Sequence, residues 1–164
     1  MDNITDNETF KKTLSALPLA QQRQVGARFV GHVLDLTEGR CTKQAQILAE
    51  KNDVSPEELE MAYHAVHAIY VDTRPRSHLS LLDYGKQATH LVAEACMTCV
   101  APTYGDYGTS HLAENVASYC RMARMCASIQ HDADNPSLSN AEEAMKKETE
   151  AQYEILNKYL EENT

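Results

Sequence analysis

The sequence predicts an all-α fold, a single-domain bundle of five to seven helices. Apolar side chains recur at three- and four-residue intervals through every long segment, which is the period of a helix with one buried face. Ala, Leu, Glu and Gln fill those segments, and all four favour helix. The six Gly and five Pro fall mostly at breaks between segments, without the regular spacing of an all-β chain. At 164 residues the chain fits one domain, 1–164, able to bury about two-thirds of its unfolded surface.

The first helix is predicted to begin after Thr5, with Thr5 and Glu8 at capping-box spacing and Phe10, Leu14 and Leu17 forming its stripe. Pro18 ends it and opens a second helix, Leu19 to Leu36, whose apolar face includes Gln22, Gly26, Phe29, Val30 and Val33. Gly26 costs about 1 kcal/mol against Ala in helix propensity, so its place on that face suggests close approach of another helix. Gly39 fits the end of this helix. A short helix follows from Thr42 to Lys51, with Ala45, Leu48 and Ala49 inward.

Ser55-Pro56-Glu57-Glu58 is the clearest start signal. Ser caps, Pro takes the first turn, Glu58 closes the box, and Glu57 adds charge at the positive end of the dipole. Leu59, Ala62, Tyr63, Val66, Ile69 and Tyr70 then give the 3.6 period, and Thr73-Arg74-Pro75-Arg76 stops it. A fifth helix spans Ser80 to Val100, with Ala88, Val92, Ala95, Cys96 and Cys99 inward. After a turn-rich loop at 101–108, a sixth covers Ser110 to Gln130. Its stripe holds Leu112, Val116, Tyr119, Ala123 and Ala127, with Arg121 and Arg124 outside. The last starts near Ser139, has Glu142 at the capping-box position, and carries the seam Met145, Gln152, Leu156, Tyr159 and Leu160.

Fifteen Lys and Arg against 24 Asp and Glu give a net charge of −9. A phosphate backbone repels that sign, so nucleic acid is excluded as a general partner. From Ser139 onward seven Glu face three Lys, a balance of −4. No charge-free apolar run approaches the roughly 18 residues of a membrane span. The opening Met1-Asp2-Asn3-Ile4-Thr5-Asp6 carries acid where a secretory signal needs base, so the expected location is the cytoplasm, where thiols stay reduced.

Five cysteines, an odd number, argue against a disulfide framework. Cys96-Met97-Thr98-Cys99 has C-x-x-C spacing, but it lies near the predicted end of a helix, where the dipole disfavours a thiolate. Cys96, Cys99, Cys120 and Cys126 converge if two helices pack antiparallel, the number of thiols a zinc site takes, and Met97, Met122 and Met125 nearby suit a soft ion such as Cu(I). Packing as small apolar groups is the plainer reading.

Glu60 and His64 are one residue off the Glu-x-x-His spacing of a carboxylate di-metal bundle, and the motif is not repeated. His64 and His67 read as edge residues of an amphipathic helix. Neither Gly-x-Ser-x-Gly nor a phosphate-binding Gly loop is present. Arg74 and Arg76 concentrate positive charge in an acidic chain and could fork onto a small acidic ligand. Tyr104 and Tyr107 sit on a loop suited to an interface.

Leu17-Pro18-Leu19 leading into Gln24-Val25-Gly26-Ala27-Arg28-Phe29-Val30, the segment Tyr84-Gly85-Lys86-Gln87-Ala88, and Asn135-Pro136 before a closing helix at 147–156 set a helix order. That order resembles the YjaG-like family of small bacterial all-α proteins. The resemblance implies an all-α fold and brings no activity with it. With no catalytic constellation in the sequence, the expected function is non-catalytic: protein–protein contact, with self-association as a homodimer. The alternatives are a thiol or soft-metal protein and a binder of small acidic ligands.

Overall fold

The computed structural model describes residues 3–74, 83–101, 111–131, 134–135 and 137–164. Among them are seven α-helices and no strand: α1 (Asn7–Ala16), α2 (Leu19–His32), α3 (Arg40–Glu50), α4 (Pro56–Asp72), α5 (Tyr84–Val100), α6 (Leu112–His131) and α7 (Leu138–Glu162). A 3-10 turn, Leu34–Leu36, lies between α2 and α3.

The starts follow cap chemistry. Ser55 and Glu58 close a complete capping box on α4, with Pro56 in the first turn, as the sequence predicts. At α1 the cap is Asp6, whose carboxylate accepts the Thr9 N–H at 2.9 Å. Asp6 lies one residue past the predicted Thr5, and a carboxylate also suits the positive dipole end. Ser137 and Asp83 cap α7 and α5 in the same way. Gly39 does not close α2. It precedes α3 with φ +131°, a conformation that L side chains rarely adopt. α2 stops at His32, and residues 34–36 tighten into the 3-10 turn, four residues short of the predicted helix end.

α5 and α6 run antiparallel through the centre and make the most extensive pairing. α7 lies along α6, α2 crosses both central helices, and α3 lies on α2. α4 is an edge helix, packed chiefly on α3 and α5. The core contains Phe10, Leu14, Val25, Phe29, Val30, Val66, Val92, Val116 and Leu156, all at or below 1% exposure. Gly26 sits where α2 meets α5 and α6. A Cβ there would lie 3.1 Å from Cys99 Sγ and 3.4 Å from Val116 Cγ2, so the close approach read from the sequence is present.

Buried amides hold the crossings. Gln46 donates to Ala27 O (3.0 Å) and Gln152 to Ala117 O (3.0 Å), each from a neighbouring helix. Arg23 reaches Ala49 O and Lys51 O at 3.1 and 3.0 Å, satisfying the last carbonyls of α3. Asn157 accepts from the Ile4 N–H and donates to Ile4 O, strapping the extended N-terminal segment onto α7.

Candidate functional site

Helical phase turns Cys96, Cys99, Cys120 and Cys126 inward, and all four are buried. Cys96 Sγ lies 3.7 Å from Thr42 O. Burial pushes the Cys96 thiol up to about 12. Burial, then neighbouring groups, raises Cys99 and Cys120, and burial raises Cys126. Among the described residues no group of three or more His, Cys, Asp or Glu is placed to hold a metal. The four-thiol zinc or Cu(I) centre is therefore not assembled: helix-borne thiols pointing into apolar packing are fillers. Only Cys41 is exposed. Titration with a thiol reagent should give one fast-reacting group and four slow ones, and Cys41→Ser should remove the fast phase. A second fast thiol in the native protein would contradict this placement.

Arg74 is exposed, its guanidinium carbon 6.0 Å from the centre of the Tyr70 ring. Arg76, Tyr104 and Tyr107 lie outside the described residues. His67 is half-buried, stacked between Tyr63 (5.8 Å) and Tyr70 (6.1 Å), and Tyr70 stacks at 4.3 Å on buried His90. Thr73 spends its hydroxyl proton on Ile69 O at 2.7 Å, so the 3.1 Å contact with His90 Nδ1 has the ring N–H donating. This run of rings joins α4 to α5.

A polar network around one buried carboxylate ties the 3-10 turn to α2, α6 and α7. The Glu148 carboxylate is 1% exposed. His32 Nδ1 lies 2.9 and 3.0 Å from its two oxygens, and Arg124 Nε donates to it at 3.3 Å. Arg124 also forks onto Asp35 with two 2.8 Å bonds and donates to His32 O at 2.8 Å. Those bonds hold the Asp35 carboxyl below its ordinary value. Arg121 donates to Gln152 at 2.6 Å and covers the Phe10 ring. Arg121 and Arg124 thus turn in, where the sequence reading left them outside. Their guanidinium groups reach past the apolar stripe to a buried glutamine and a buried acid.

The outer side of α4 is different. Met61 is 73% exposed and Val71 50%, while Ile47 on α3 is 48% exposed. Ala65 and Ala68 lie on the same outer side. Glu57, Met61, His64, Ala68 and Val71 are spaced four, three, four and three apart, the spacing of a two-helix seam. Between α3 and α4 runs a groove of about 350 Å³, lined by Cys41, Ala45, Leu48, Met61, Ala62 and Ala65 among others. The sequence stripe traced the inner side of α4; the apolar outer positions were the signal left unread. Among the described residues no helix is long and apolar enough to cross a membrane.

No family model, curated protein or solved structure matches this chain.

Proposed function

We propose that this is a non-catalytic helical protein that works through protein–protein contact, and that it self-associates as a homodimer through the outer side of α4. One observation carries the reading: beyond the side of α4 that packs into the bundle, Met61, Ala65, Ala68 and Val71 stand exposed. An apolar helix side left at a surface gains by burial against another helix, at about 25 cal/mol per Å².

For two copies of the chain, charge favours antiparallel over parallel packing. Glu57, Glu58 and Glu60 crowd the N-terminal end of α4. Toward its other end Asp72 and Arg74 cancel, and His67 adds no formal charge. A two-fold axis beside His64 sets each acidic end over the other copy's end of no net charge and opposes the helix dipoles. It also brings the long Met61 side chain over small Ala68 of the second copy. Parallel packing would place acid on acid.

Sedimentation analysis tests the contact. The chain should sediment at twice its 18.3 kDa at roughly 100 µM and dissociate on dilution. Met61→Glu puts an unpaired carboxylate in the seam and should weaken the dimer by about 2 kcal/mol, some thirtyfold in Kd, with helicity unchanged. A chain monomeric throughout that range overturns the proposal.

A further inference from the structure

Glu60 and His64 stand one turn apart on the uncovered side of α4, with side chains 60% and 68% exposed. His64 Nε2 lies 3.7 Å from Glu60 Oε1, which is too long for a good hydrogen bond. It is close to the edge of a tetrahedral zinc site, where bonds of about 2.1 Å separate two ligand atoms by roughly 3.4 Å. Two ligands at i and i+4 on one helix face form a half-chelate. One chain supplies only this half, consistent with the lack of a three-ligand group among the described residues.

We infer that Glu60 and His64 of two copies together form a zinc-class site on the dimer axis, closed by two imidazole nitrogens and two carboxylate oxygens. This rests on the α4 pairing proposed above, because the axis that places Met61 over Ala68 passes beside His64. The site takes a divalent ion of borderline softness. Its two carboxylates neutralise the ion, and the glutamates at 57 and 58 on the same end of α4 add to the attraction. The spacing that fails for a di-metal bundle core suits a chelate on a helix surface.

The test uses tag-free full-length chain in EDTA and in zinc chloride, followed by light scattering and calorimetry. Zinc should tighten the dimer by at least about tenfold, through mass action on the dimeric state, with one ion per two chains. Cobalt should give the intense visible absorption of a tetrahedral centre. His64→Ala should abolish the zinc response and the cobalt colour, each read against that variant's own behaviour in EDTA. His111→Ala, which alters the His111–Glu114 pair at the start of α6, should leave both intact. A dimer in EDTA that ignores zinc overturns this inference and leaves the contact standing. A chain monomeric in EDTA and dimeric in zinc, with the response lost in His64→Ala, supports the site and overturns unaided self-association. A zinc response that survives in His64→Ala overturns the site.

Discussion

Arg124→Ala should cost about 3 kcal/mol of stability, because a buried carboxylate loses its guanidinium partner and keeps only His32. Glu148 is 1% exposed, so water cannot replace the lost charge. The same substitution frees both Asp35 oxygens and the His32 carbonyl, loosening the 3-10 turn from α6. Urea denaturation measures it, with a lower midpoint and an unchanged slope. Arg28→Ala is the control. Arg28 also pairs with two carboxylates, Glu50 at 3.1 Å and Glu162 at 2.7 Å, but both are 41% exposed. Exposed pairs are worth about 1 kcal/mol or less, so burial should separate the two arginines. Equal losses would remove burial as the explanation.

The acid limb of the stability curve gives the same prediction a second reading. Arg124 holds the folded Asp35 carboxyl below its ordinary value of 3.8. A group depressed in the folded state contributes stability that is present above its unfolded value and lost as pH falls through its folded value. Wild-type stability should therefore fall more steeply than that of Arg124→Ala below about pH 4. The salt bridge from Lys11 depresses Glu114 in the same direction, and it remains in both proteins.

The contrast between Arg124 and Arg28 also marks what was legible in the sequence. Ser55-Pro56-x-Glu58 is local chemistry: each group satisfies a backbone donor within one turn, and the cap follows from spacing alone. Gly26 was legible because a glycine on an apolar helical face has few reasons to be there besides close packing. Glu148 was not. Its nearest sequence neighbours are Lys147 and Thr149, and nothing at that range tells a solvated glutamate from one that meets His32, 116 residues away. The candidate contact face was half legible. Periodicity identified Leu59, Val66 and Tyr70 as an inner stripe, and the structure places α4 at the edge of the bundle. Only that placement turns Met61, Ala65, Ala68 and Val71 from surplus apolar residues into an uncovered side. The His64–Glu60 pair was visible as spacing, but its 3.7 Å separation and its exposure required three dimensions.

Phe10→Ala should be as damaging as the loss of Arg124, by a different route. Phe10 is 1% exposed and fixes the ten-residue α1 to the bundle. Its ring centre lies 5.8 Å from Phe29 on α2 and 5.2 Å from Tyr153 on α7, and Arg121 of α6 covers it at 5.1 Å. One side chain thus joins four helices. Truncation removes the transfer energy of the ring and leaves a cavity, at about 3–5 kcal/mol for a buried Phe. A helix of ten residues is marginal in water without tertiary packing. Leu14, the other fully buried residue of α1, cannot by itself hold the helix in place. The expected result is a fall in the unfolding midpoint, preceded at lower urea by rapid amide exchange confined to residues 7–16. Leu14→Ala should give the same exchange pattern. If Phe10→Ala costs under about 1 kcal/mol, the site collapses without a cavity and α1 is held by its capping and strap contacts instead.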